Sequence, residues 1–350
     1  MQNSFQLIRA FINNQKTERI PMYDLLRNDV VTSYFGGETV NPVNGRRVVF
    51  NSYEPSIDAT RPLVRTPNEE KTVILDDGRV QRYFRWTIWT SHKKYDNEEV
   101  YKNDKEKFIK NFVDWSDEKQ EELNTQLSQH RKEQGDLGDI FYFPVGPCNW
   151  LTRIYDEVGL EDFSFYWAYY PELIDQMMEC HAQETIAWAE HLPVDFEYNG
   201  IFLADDIAFN SGPLLPVDWF EKSYFHRLKR ICDAFHKRKI KVLFHSDGNL
   251  FPILGELVSA GIDGLNPIEI MAGMDVGQIH KKYPSIFMAG GIDVSQLLPF
   301  GKPHEIKDIV KKTIDDAEGR IMIGSSTELN NEVPLENFLA LRDAVLEYKF

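Results

Sequence analysis

The sequence predicts an α/β protein, a (βα)8 TIM-type barrel carrying an N-terminal antiparallel hairpin and helical embellishment. Three observations predict it. From residue 195 onward apolar strand-like runs alternate with helix-like runs, successive strands beginning roughly 20–40 residues apart, which is the rhythm of a repeating βα unit. Those strand runs are apolar without alternation, as expected of a parallel sheet covered on both faces. No GxGxxG follows a strand and no GxxxxGK(S/T) occurs, so the phosphate-binding fingerprints of an open nucleotide fold are missing and the barrel is favoured.

The elements follow in order. "MQNSFQLIRAFINN" is amphipathic, lacks the continuous apolar region of a signal peptide, and reads as the first helix. "RIPMY" is an early strand. Residues 48–90 look antiparallel, with "TVILDDGRVQRYFRWTIWT" giving a strand, an Asp77-Gly78 turn and a second strand. Residues 95–139 are charged and helical, and their charges form a solvated face. "DIFYFPVG" resumes the barrel, and "PELIDQMMECHAQETIAWAEHL" is a long helix with Pro171 near its start. "GIFLADDIAF", "IKVLFHSDG", "IDGLNPIE", "SIFMAGGID" and "RIMIGSS" are strands. Between them lie the helices "PVDWFEKSYFHRLKRICDAFHKR", "LFPILGELVSAG" closed by Gly261, "DVGQIHKKYP" and "HEIKDIVKKTIDDAEG". The last helix, "PLENFLALRDAVLEY", gathers Leu335, Phe338, Leu339, Val345 and Leu346 on one face. With no linker and no internal repeat, one barrel domain over residues 1–350 is the simplest organisation, with 48–139 as an irregular hairpin and helical insertion.

A net charge of −16 repels phosphate backbones, which argues against nucleic acid and anionic membrane partners. No apolar run is long enough to span a bilayer. Cys148, Cys180 and Cys232, odd in number and widely spaced, fit a reducing cytoplasm better than a disulfide framework. An aromatic content of 13% fits a large core or, more sharply, an aromatic-lined pocket.

In a βα barrel, chemistry sits where strands run out into the following loops. Here the exits are polar: Asp24 with Arg27 a turn later, Asp205-Asp206, His245-Ser246-Asp247, Asn266 and Glu269, Gly290-Gly291 with Asp293, and Ser325 through Glu328. Any one acid or serine after a strand is more often the cap of the next helix. Several such exits together weaken that explanation for the set, and Gly290-Gly291 would leave room for a ligand. His245 and Asp247, two apart on an extended chain, point the same way. They could share a metal ion with Glu328 or Asp206, form an acid/base pair, or cap a helix; the residues alone leave all three open.

The ordered set "LADDIAFNSGPLLPVDWFEKSYFHRLKRICDAFHKRKIKVLFHSDGNLFPIL", "GIDGLNPIE", "GGIDVSQLL" and "VPLENFLALRDAV" resembles the uroporphyrinogen decarboxylase superfamily over residues 140–350. That family's fold is a (βα)8 barrel. Its haem-pathway branch carries an arginine-rich loop after the first strand and a histidine near the last. Here "YDLLRNDVV" offers Arg27 alone, and "GSSTELNNEVP" has no histidine. The resemblance is closer to the corrinoid-dependent methyltransferase and O-demethylase branch, whose zinc is held by a His-x-Cys pair and a later Cys. His245 stands at the histidine position, Asp247 replaces the first cysteine, and the Ser325–Glu328 segment replaces the second. The resemblance thus implies a cytoplasmic methyltransferase, with a methoxylated aromatic as a candidate methyl donor and a corrinoid protein as partner. Zinc would sit on His245, Asp247 and Glu328, a harder set than thiolates. Asp206, His245 and Asp293 would be catalytic, and Asp24, Arg27, Asp205, Asn266, Glu269, Gly290 and Gly291 would bind substrate. A homodimer is a family-level expectation. A decarboxylase using Asp206 and Arg27 without metal is the alternative, and a non-catalytic corrinoid or porphyrin binder is a third reading.

Overall fold

Successive residues of a strand face opposite sides of its sheet, so a sheet apolar at every position must be covered twice. The computed structural model, which describes residues 2–62 and 64–349, shows both coverings. In chain order it comprises α1 (Ser4–Ile12), α2 (Asp29–Gly36), α3 (Gly45–Ser56), β1 (Ala59–Thr60), β2 (Lys71–Ile74), β3 (Val80–Tyr83), β4 (Ile88–Thr90), α4 (Glu98–Lys110), α5 (Asp117–Leu137) and β5 (Phe141–Tyr142). Then come α6 (Thr152–Val158), α7 (Leu160–Tyr169), α8 (Pro171–Glu190), β6 (Gly200–Ala204), β7 (Ala208–Phe209), β8 (Gly212–Pro213), α9 (Val217–Ser223), α10 (Phe225–Lys237), β9 (Lys241–His245) and α11 (Leu254–Ala260). The chain ends with β10 (Gly264–Asn266), α12 (Val276–Lys282), β11 (Phe287–Ile292), α13 (Leu297–Phe300), α14 (Pro303–Asp316), β12 (Ile321–Ser325) and α15 (Leu335–Glu347).

Five strands form a parallel sheet in the order β12-β11-β10-β9-β6. Single-residue parallel bridges extend it: Met22 pairs with Ile323, Tyr23 with Ala59, and Val145 with Phe202, while β1 pairs in parallel with β5. On one face of these strands, Tyr23, Phe141, Phe143, Phe202, Leu243, Phe287 and Met322 cluster with Ile8, Phe11 and Ile12 of α1, so the first helix packs onto this inner set. On the other face Ile201, Leu203, Val242, Phe244, Leu265, Met288 and Ile323 meet the surrounding helices. Each fully buried Leu or Phe among them contributes roughly 1.5–3 kcal/mol. Pro171 begins α8, where its missing N–H removes no helical bond.

The expected hairpin exists, and its second run splits to give a three-stranded antiparallel sheet, β2-β3-β4. Residues 45–56 are helical, not antiparallel: Val48, Val49, Ser52, Tyr53 and Ser56 recur at helical spacing and are all buried. The helix expected over 216–238 breaks at Tyr224 into α9 and α10, and the strand expected over 200–209 stops at Ala204. Cys148, Cys180 and Cys232 are free thiols in buried positions. Among the described residues no helix is long and apolar enough to cross a membrane.

Candidate active site

Strand parity selects the site. Phe202 lies on the inner face, so Ala204 and Asp206 follow it there, and Leu243 and His245 do the same on β9. The register pairs Ala204 with His245, which sets the exits of β6 and β9 side by side. Asp206 Oδ1 accepts a hydrogen bond from the Asp247 N–H at 3.2 Å and stands 3.8 Å from His245 Nε2. One ligand atom from each of Asp206, His245 and Asp247 lies within 4.8 Å of the others.

The state of His245 follows from its neighbours. The Asn266 Nδ2 donates to the Ala289 carbonyl at 3.2 Å, which turns Oδ1 toward the imidazole, 2.8 Å from His245 Nδ1. An amide oxygen only accepts, so Nδ1 carries the proton and Nε2 keeps the lone pair. The Arg61 Nη1 lies 2.9 Å from Nδ1 and 3.2 Å from Nε2, and in this tautomer only the second contact is a hydrogen bond. Its guanidinium also stacks on Phe202, 5.0 Å from the ring centre. Burial first, and the Arg61 charge second, hold His245 well below the usual histidine range. A neutral imidazole is a ligand or an acceptor, not a resident proton donor.

The acids are displaced the other way. Burial, then the like charges of Asp206 and Glu269, push Asp247 up to about 7, and its Oδ1 has no hydrogen-bond partner. Burial also raises Asp206, against the opposing effects of the Asp247 amide and Arg61. Two crowded carboxylates and an unpartnered oxygen fit a divalent cation with three protein ligands, the third being His245 Nε2, whose lone pair accepts from Arg61 at 3.2 Å here and would have to be given up to the ion. Asp247, Gly248, Glu269, Thr327 and Phe209 line an adjoining cavity of about 560 Å³ that would face the ion's open position.

The other expected residues are placed elsewhere. Glu328 pairs with Arg27 at 2.5 Å and does not join Asp206, His245 and Asp247, because the buried guanidinium holds it. Asp24 is buried; its carboxylate accepts the Leu25 and Ser325 amides and the Ser325 hydroxyl, tying the Met22-Tyr23 segment to β12. Asp205, facing outward beside Leu203, accepts the Leu151 and Thr152 amides, the Thr152 hydroxyl and the Tyr224 hydroxyl, and so fixes the start of α6. Asp293 accepts the amides of Ser295, Gln296 and Leu297 and the Ser295 hydroxyl; against its burial, these bonds hold it below the ordinary carboxylate value and engage it in the turn that leads into α13. Glu269 accepts the Gly248 amide at 2.6 Å, at the edge of the cavity. At Gly290 and Gly291 the space a side chain would fill is already occupied by neighbouring strand atoms. Both have positive φ, +106° and +88°, and added Cβ atoms would meet the Ser325 carbonyl oxygen at 2.9 Å and Ile321 Cδ1 at 3.0 Å.

Sequence reasoning missed Arg61. It follows β1, two residues long and set inside a region whose pattern looks antiparallel, so the sequence does not mark it as the exit of a parallel strand. The signal available was the charge directly after "DAT" in "IDATRPL". Arg61 and Arg65 both lie near enough to Arg27 to disfavour its charge, so the segment after β1 supplies cations that the loop at Arg27 alone lacks.

Comparisons with known proteins agree with this architecture. The family model described as uroporphyrinogen decarboxylase (URO-D) matches residues 131–348, more than half of the chain, and the chain belongs to that family. Among solved structures, a methyltransferase from Methanosarcina mazei superposes with a TM-score of 0.70 at 18% identity, covering 99% of each chain, which is a likeness of fold. No curated protein matches the sequence.

Proposed function

We propose that this protein is a corrinoid-dependent methyltransferase, in which the parallel pairings close into a single (βα)8 barrel and the methyl donor is a small methoxylated aromatic. The observation that carries the reading is the convergence of a neutral His245 with Asp206 and Asp247 within 4.8 Å. These three residues would hold zinc, which when bound supplies Lewis acidity at the ether oxygen of the donor. Asn266 holds the His245 tautomer that presents Nε2. Arg61 offsets the two carboxylates, and with Arg27 and Arg65 it gives the mouth cations suited to a carboxylate on the substrate. The likeness to a methanogen methyltransferase supports the reaction class, and a corrinoid protein would accept the methyl group. The same arginines also favour the second reading, decarboxylation of a carboxylated substrate. The acidic composition and the three free cysteines support a cytoplasmic setting.

The test supplies zinc-loaded protein with cob(I)alamin and 2-methoxybenzoate and follows methylcobalamin by absorbance. Methyl transfer that disappears in His245→Ala and in Asp247→Ala is expected. Absence of methylcobalamin, with carbon dioxide released from a porphyrinogen by metal-free protein, contradicts the reading.

A further inference from the structure

Arg61 is a buried cation at the mouth that no carboxylate of the chain holds. It follows β1 directly and is only 8% exposed. Its guanidinium meets His245, with Nη1 3.2 Å from Nε2, and lies over the ring of Phe202. Among the described residues no acid comes within ion-pair distance of it, whereas Arg27 is held by Glu328 at 2.5 Å. A buried guanidinium is ordinarily paired. Asp206 and Asp247 feel the Arg61 charge only at longer range.

That contact cannot persist beside an ion on the same nitrogen. Zinc on an imidazole stands about 2.0–2.1 Å from the ligating nitrogen. A guanidinium 3.2 Å from Nε2 would then face a second cation at close range, and the two repel. The charge balance changes as well. Arg61 offsets Asp206 and Asp247 in the structure. A divalent ion balances both carboxylates by itself and leaves the arginine's charge over. Phe202 backs the guanidinium, so the group stays at the mouth once its bond to His245 is given up. Arg61 and Arg65 both act on Arg27, so the three cations share one field there. The planar fork of an arginine matches a carboxylate with two parallel hydrogen bonds.

We propose that Arg61 couples the ion to the methyl donor: it yields His245 Nε2 to a divalent ion and turns its guanidinium to a carboxylate of the donor, so that ion and carboxylate bind cooperatively. The coupling rests on the zinc reading of Asp206, His245 and Asp247, and adds to it the residue that recognises the carboxylate and the event that frees it. Competition between the full chain and a chromophoric chelator at pH 8 measures zinc affinity, with benzoate as the probe and benzamide as its neutral isostere. In the wild type, saturating benzoate tightens zinc about tenfold and benzamide does not; in calorimetry zinc tightens benzoate by the same factor. Arg61→Met and Arg61→Gln bind zinc about tenfold more tightly than wild type without benzoate, and the benzoate effect disappears in both. Zinc affinity no higher in these variants than in wild type overturns the proposal. So does a wild type whose zinc affinity benzoate leaves unchanged, a result that needs no variant to fold. A benzoate effect that survives in the variants overturns it too, because the carboxylate would then sit on the ion itself or on another arginine. All three results leave zinc bound and the reading of the site intact, whereas a wild type and variants that bind no zinc sink that reading and the coupling together.

Discussion

Asp247→Asn, studied in the presence of a chelator, should make the protein more stable. In the folded chain the Asp247 carboxyl is displaced from 3.8 to about 7 by burial and by the charges of Asp206 and Glu269. At 1.36 kcal/mol for each unit of pKa, ionising it in place costs about 4 kcal/mol, an upper figure because part of the side chain faces solvent. The folded state binds this proton more tightly than the unfolded state. Wild-type stability therefore falls as pH rises from about 4 through about 7, and the full penalty stands at pH 8. Asparagine cannot ionise, and Asp247 Oδ1 has no hydrogen bond to lose. Urea unfolding with chelator should thus show the variant ahead of wild type at pH 8, by at most about 4 kcal/mol, with the two converging near pH 4. With saturating zinc the order reverses, because only wild type keeps all three ligands and gains the full binding term. A variant no more stable than wild type at pH 8 in chelator refutes the electrostatic reasoning. Equal stabilisation of both proteins by zinc refutes the role of Asp247 as a ligand.

Three further outcomes separate the site from its scaffold. Asn266→Ala removes the acceptor that holds the His245 tautomer and should weaken zinc binding about 10- to 100-fold in competition with a chromophoric chelator. Asp205→Ala strands the Tyr224 hydroxyl and two amides of the α6 start and should cost about 3 kcal/mol or more in urea unfolding, with zinc affinity preserved in the folded fraction. Asp293→Ala should cost about 1–2 kcal/mol through the bonds lost to the turn before α13 and leave zinc affinity unchanged; a loss of metal binding there would return Asp293 to the active site.

Most strands and helices after residue 140 were legible because both sheet faces are buried, which writes each strand as a short apolar run between helical patterns. The same property hid which acids face inward. Ile201 and Phe202 are equally apolar, so nothing in "FLADD" tells Asp205, turned to the helices, from Asp206, turned to the mouth. The spacing of His245 and Asp247 was readable because it is internal to one exit. The third partner came from the neighbouring strand, and Asp206 rather than Glu328 fills that place because Arg27 holds Glu328. The pair Gly290-Gly291 was legible as unusual; its cause, positive φ against neighbouring strand atoms, is a property of packing. The helix at residues 45–56 was obscured by "VVF", whose β-branched residues suggest a strand although the buried positions keep helical spacing.

Zinc-edge X-ray absorption on the zinc-loaded protein tests the shared site most directly. One zinc per chain, with an imidazole nitrogen and carboxylate oxygens at about 2.0–2.2 Å, is expected, the imidazole signal being lost in His245→Ala. A zinc bound through sulfur at about 2.3 Å, or a wild-type chain that retains no zinc after dialysis, contradicts the account.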